Sequence, residues 1–170
     1  MKLSNYIFLF SVLLILFSSC NKKEAAEPLI DSAVQAERED KIIQQYLKEK
    51  NITAQKTDLG IYYIVLAEGT GAVTPKTADS VVINYEGQVL YGRQFDSSYE
   101  KSNPLAFRIG KRTVVIGFEE AVKQMKVGEK TRFFIPSRYV YGQGGRFEGT
   151  REIIPPFATL IFEIKLEKIL

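Results

Sequence analysis

The stretch that decides the fold is residues 114–125, Val114-Val115-Ile116-Gly117-Phe118-Glu119-Glu120-Ala121-Val122-Lys123-Gln124-Met125. Within it Phe118, Ala121, Val122 and Met125 fall at i, i+3, i+4 and i+7, which places one apolar stripe on a short helix from about Gly117 to Met125. Gly128 then turns the chain into a strand-like run, Lys130 to Ile135. Upstream, Val81, Ile83 and Tyr85 alternate with Val82, Asn84 and Glu86. Downstream, Leu160, Phe162, Ile164 and Leu166 alternate with Ile161, Glu163, Lys165 and Glu167. A period of two is that of a strand with one face on a core. Ile61 to Leu66 is another β-rich segment, closed by the turn residues Gly69-Thr70-Gly71. One short helix packed on antiparallel strands predicts the α+β class, and the chain shows no internal repeat.

Ahead of this domain, which is expected to span residues 57–170, the pattern changes twice. From about Asp40, Ile42, Ile43, Tyr46 and Leu47 recur at helical spacing among Lys, Gln and Glu, with Asn51 as a stop. This predicts an amphipathic N-terminal helix within residues 40–56. Its apolar stripe suits either a partner, as a dimerisation or docking helix, or the domain's own surface, and the second is favoured. Residues 20–39 are rich in Lys, Glu, Ala, Ser and Asp and poor in large apolar residues, and are expected to form a flexible tether. At the start, Lys2 precedes an apolar run from Ile7 to Phe17, the length of a signal-peptide core and too short to cross a bilayer as a helix. Residues 1–19 are therefore read as a signal peptide. Leu16-Phe17-Ser18-Ser19-Cys20, ending in the chain's single cysteine, resembles the lipobox of bacterial lipoproteins. That resemblance implies cleavage before Cys20 and acylation of its thiol, each buried lipid CH₂ then contributing about 0.8 kcal/mol to membrane attachment. The next residue is Asn21 and not an acid, which by analogy with lipoprotein sorting points to the outer membrane of the cell envelope.

Composition excludes several kinds of chemistry. The net charge is +3 over 170 residues and the signs are well mixed, so no nucleic-acid stripe is present. With no histidine and one cysteine there is no zinc motif and no Ser–His or Cys–His dyad. No Gly-rich phosphate loop occurs either. Neither a cofactor nor a metal is expected.

Six segments point to a site. They are Tyr85, Gln94-Phe95-Asp96-Ser97-Ser98, Val114-Val115 before Gly117-Phe118, Tyr139-Val140-Tyr141-Gly142, Ile153-Ile154-Pro155-Pro156, and Phe162. Taken in order, from about Gly69 to Leu170, they resemble the binding-pocket framework of the FK506-binding-protein (FKBP) family of peptidyl-prolyl isomerases. The resemblance implies a twisted antiparallel sheet half-wrapped around the short helix, and acceleration of rotation about X-Pro bonds in exported proteins. It also implies proline-containing polypeptides of the envelope as partners, and a macrolide of the FK506 type as a ligand. It extends to isomerase lipoproteins linked to gliding motility in Bacteroidetes. The alternative class is a non-catalytic proline-peptide clamp or chaperone module of a cell-envelope complex.

The chemistry suits this composition. An X-Pro bond isomerises unaided in tens to hundreds of seconds, over a barrier of about 18–20 kcal/mol set by amide resonance. The twisted transition state has lost that resonance and is less polar, so a dry aromatic cavity favours it with no acid, base or nucleophile. Carried over residue by residue, the resemblance implies Phe118 as the floor, with Tyr85, Phe95, Leu105, Val114, Val115 and Phe162 as walls. It makes Tyr141 the donor to the substrate carbonyl, Asp96 a rim carboxylate bonded to Tyr85, and Ile153 and Ile154 part of a closing loop whose Ile154 backbone is open to an extended peptide. Three features depart from the family pattern: Leu105 where an aromatic is common, Phe118 where tryptophan is common, and a longer loop from Gln143 to Glu152 carrying Arg146, Glu148, Arg151 and Glu152.

Overall fold

The computed structural model describes residues 31–170. The signal-peptide and Cys20 readings, and the tether up to Ile30, lie outside the described residues. Helix α1 spans Ser32–Glu49. It starts well before the expected Asp40, so residues 32–39 are helix and not tether. Asp31 supplies the reason, since its side chain accepts the Ala33 amide at 2.8 Å and caps the first turn. Gln35 bonds Glu39 and Lys41 bonds Glu37, both at 2.7 Å and both one helical turn apart. A polar composition does not prevent a helix when packing holds it.

The strands are β1 (Gln55–Lys56), β2 (Tyr62–Ala67), β3 (Ser80–Val89), β4 (Gln94–Ser97), β5 (Leu105–Arg108), β6 (Lys130–Ile135), β7 (Arg146–Glu148), β8 (Arg151–Ile154) and β9 (Leu160–Ile169). Seven of them form one antiparallel sheet in the order β1-β2-β6-β9-β3-β4, with β5 also on β3. Strand β3 is the hinge of this arrangement. One edge pairs with β9 throughout, while the other pairs first with β5 through Ser80–Ile83 and then with β4 through Glu86–Gln88. Its two-residue period turns Val81 and Ile83 into the core, where both are fully buried.

Helix α2, Ile116–Val122, lies on one face of the sheet. It is shorter than the expected run to Met125, because Gln124 and Met125 donate to Ala121 and Val122, three residues back, in tightened turns. All four stripe residues are nonetheless buried. On this face they meet Val81, Ile83, Phe133, Ile135, Leu160, Phe162, Ile164 and Leu166.

The opposite face is covered by α1. Ile43 and Leu47 pack with Tyr62, Leu90, Phe134 and Ile161, so the domain's own sheet occupies the stripe. Burying each such side chain is worth about 1.5–3 kcal/mol. Ile161, read from the alternation as an outward residue, is outward but buried, because α1 roofs that position. The expected loop from Gln143 to Glu152 is also corrected. A short 3₁₀ turn, Gly142–Gly144, leads into a β7–β8 hairpin.

Candidate active site

The site lies where α2 meets β3, β4 and β9. Phe118 is buried at its base, with Tyr85 edge-on at 5.5 Å and Phe162 edge-on at 5.0 Å between ring centroids. Phe95 meets Phe162 edge-on at 5.8 Å. Such edge-to-face pairs are preferred by the ring quadrupoles and contribute about 0.5–1.5 kcal/mol each beyond area burial. Leu105, Val114, Val115 and Tyr141, all partly buried, pack on the same cluster, as do buried Ile153 and Ile154. Val115 takes an extended conformation as the residue before α2, and its carbonyl accepts the Phe118 amide at 3.0 Å. Every apolar residue assigned to the site from sequence thus belongs to, or packs on, the main core cluster.

The polar rim is built by β4 against β3. The Tyr85 hydroxyl donates to Asp96 Oδ2 at 2.6 Å. Lys101 Nζ and the Ser97 amide bond the other carboxylate oxygen at 2.5 and 2.9 Å. The next serine locks the strand in place, since Ser98 Oγ accepts the Tyr85 amide at 2.8 Å while the Ser98 amide donates to the Tyr85 carbonyl at 2.9 Å. Asp96 and Ser97 are thus strand residues, and Ser98 opens the turn that follows β4. Burial pushes the Tyr85 phenol up and the bond to Asp96 adds to it, so the hydroxyl stays protonated into the alkaline range. For Asp96 burial works to raise the pKa, but the bonds from Lys101, Tyr85 and the Ser97 amide outweigh it and hold the carboxylate ionised.

Sequence reasoning missed several contributors. Gly87 follows Tyr85 at the next inward position of β3, and a Cβ there would stand 2.8 Å from both Phe162 and Phe95. Its glycine admits the aromatic wall, and the two-residue alternation was the signal. Phe107 on β5 packs tilted against Phe118 at 6.1 Å. Glu119, buried on α2, accepts the Gly110 and Arg112 amides at 3.0 Å and so fixes the loop that ends in Val114-Val115. Ile153 and Ile154 are strand residues of the hairpin, not of a loop. Ile154 pairs with Arg146, and its carbonyl lies so close to Gly145 that no side chain fits there.

Among the described residues no cluster of His, Cys, Asp and Glu has the make-up of a metal site. No helix of the described residues is long and apolar enough to cross a membrane. What the arrangement offers is a cluster of packed aromatic rings with one hydroxyl–carboxylate pair beside it.

An antiparallel sheet around one helix, with an aromatic cluster between them, defines a prolyl-isomerase-like α+β domain. The chain belongs to the FKBP-type peptidyl-prolyl cis-trans isomerase family, whose profile matches residues 71–167. It is similar to the FKBP-type peptidyl-prolyl cis-trans isomerase FkpA of Escherichia coli K12, 37% identical over 123 residues, covering 72% of this chain and 42% of that protein. It also resembles FK506-binding protein 1 of Saccharomyces cerevisiae, 40% identical over 104 residues, covering 61% of this chain and 88% of that protein. The crystal structure of Escherichia coli FkpA superposes with a TM-score of 0.66 at 33% identity, over 82% of this chain and 61% of the other. That of AtFKBP13 gives 0.63 at 28%, over 69% and 99%. This chain thus spans less than half the length of FkpA.

Proposed function

We propose that the protein is a peptidyl-prolyl cis-trans isomerase acting on proline-containing polypeptides of the cell envelope. The observation that supports this reading is the aromatic cluster in which Tyr85 and Phe162 pack edge-on against Phe118 and Phe95 packs on Phe162. A proline ring seated on Phe118 loses its water, and the flanking amide loses it too. Planar amides are the more polar state, so exclusion of water raises the ground state relative to the twisted one. Tyr141 is assigned the donation to the substrate carbonyl, and Asp96 the polarisation of the rim through Tyr85. Val114, Val115, Leu105, Ile153 and Ile154 complete the apolar walls.

A protease-free isomerase assay on proline peptides with varied preceding residues tests the assignment. Catalysed exchange in the parent protein supports it. Peptide binding with no acceleration would replace it by the non-catalytic clamp. An FK506-type macrolide is proposed as a competitive ligand of the same site, supported by the likeness to FK506-binding protein 1.

The proposed setting is the outer membrane, reached through the 1–19 signal peptide and held by acylated Cys20, with residues 21–30 as the tether and the isomerase domain at 57–170. The Leu16 to Cys20 run supports it. Cys20→Ser is expected to abolish partition into detergent, and unchanged partition of the cleaved protein would refute the anchor. Kinship to gliding-motility isomerase lipoproteins of Bacteroidetes belongs to the same proposal.

A further inference from the structure

Glu39 is the one buried acidic side chain of α1, at 2% exposure. It does not bond a cation. Its carboxylate accepts the Ser137 amide at 2.8 Å and the Ser137 hydroxyl, across 98 residues of sequence, and Gln35 steadies it at 2.7 Å. Ser137 opens the 3₁₀ turn Ser137–Tyr139, after Pro136, which has no amide hydrogen to give. The carboxylate therefore takes the first free donor of that turn. From there the chain has little freedom before Tyr141. Val140 donates to the Ser137 carbonyl at 2.9 Å, Tyr139 is packed against Gly117 of α2, and the Gly142 carbonyl accepts the Phe157 amide at 2.8 Å. Tyr141 thus sits on a short bridge whose near end is fixed by α1 and whose far end is fixed by the 155–158 turn.

We infer that Glu39 is a positioning residue: through Ser137 it sets the place of the Tyr141 hydroxyl, so that α1, on the far face of the sheet, is part of the catalytic apparatus. The inference rests on the isomerase reading above. Asp40, its neighbour on α1, provides the control, because it also ties the helix to the sheet, at Lys56 (2.5 Å) and Tyr62 (2.9 Å), and its hydrogen bonds go to none of residues 137–142.

The test is a double-mutant cycle. In the full chain, Glu39→Gln is expected to lower kcat/KM about threefold, the scale of one weakened neutral hydrogen bond, whereas Asp40→Asn leaves it unchanged. In a Tyr141→Phe background Glu39→Gln is expected to have no further effect, since its action passes through the hydroxyl already removed. Amide hydrogen exchange supplies a readout independent of turnover: Glu39→Gln is expected to speed exchange at Val140 and Phe157, and Asp40→Asn is not. An equal loss of activity on Glu39→Gln in the parent and in the Tyr141→Phe background overturns the inference, as does equal exchange in the two α1 variants. An inactive parent defeats the isomerase reading instead, and the exchange comparison still decides whether Glu39 fixes the bridge.

Discussion

Asp96 accepts the Tyr85 hydroxyl at 2.6 Å from the neighbouring strand, so a carboxylate and a phenol share one rim bond. The folded Asp96 is held below the ordinary carboxylate range even though burial opposes this, because Lys101, Tyr85 and the Ser97 amide together prevail. A depressed folded pKa contributes stability that is present above the unfolded value of about 3.9 and is lost as pH falls through the folded value. Asp96→Asn is therefore expected to flatten part of the acid side of the stability curve, read from urea midpoints across the pH range. An acid slope identical to the parent's would remove Asp96 from the account. At neutral pH the variant keeps the shape of the rim but not its charge, and kcat/KM is expected to fall.

Tyr141→Phe separates the apolar site from its donor. The ring stays packed on the core cluster and only a hydroxyl is lost. Net hydrogen-bond contributions of about 0.5–1.5 kcal/mol correspond to a decrease in kcat/KM of roughly twofold to tenfold. The melting temperature is expected to stay within about 2 °C of the parent's, a shift well under 1 kcal/mol for a domain of this size. Full activity in this variant on several peptides would leave catalysis to the apolar cavity alone.

Much of this architecture is legible in residue spacing. The period of two in Val81–Glu86 and Leu160–Glu167 locates two core strands, and the stripe of Phe118, Ala121, Val122 and Met125 locates the helix. What spacing does not carry is how faces are covered. Ile161 reads as outward, and only the presence of α1 buries it. Residues 32–39 read as tether because few of them are large and apolar, while the burial of Glu39 depends on a turn that lies 98 residues away in sequence. In the site, the identities of the lining residues carry a recognisable pattern, but the supports are backbone matters. The close approach at Gly87 shows only as a glycine at an inward position of the alternation, and the carboxylate brace of Glu119 leaves almost no local signature.

Gly87→Ala tests the aromatic wall from its back. The added Cβ would stand at 2.8 Å from Phe95 and Phe162, so both rings must shift within a packed cluster. Overpacking of this kind typically costs about 1–3 kcal/mol, expected as a lower urea midpoint. Affinity for proline peptides is expected to fall further than stability alone explains, because the displaced rings are the proposed walls of the site. Should peptide affinity stay at the parent's value in the folded variant, Phe95 and Phe162 do not line the binding surface.

Ile42 and Ile43 are adjacent, identical in type and opposite in environment: Ile43 is fully buried between α1 and the sheet, and Ile42 is 45% exposed. Replacing Ile43 by Ala removes a core contact to the Phe134 and Ile161 face and is expected to cost about 2–5 kcal/mol. The same change at Ile42 is expected to remain within about 0.5 kcal/mol, as surface substitutions do. Denaturant unfolding of both variants checks the pair at several protein concentrations. Equal costs, or a cost at Ile42 that shrinks as the protein is diluted, would mean that the helix buries its outer side on a second molecule. Unequal costs independent of concentration make α1 a part of this domain alone, which is the condition that Glu39 needs in order to act on Ser137.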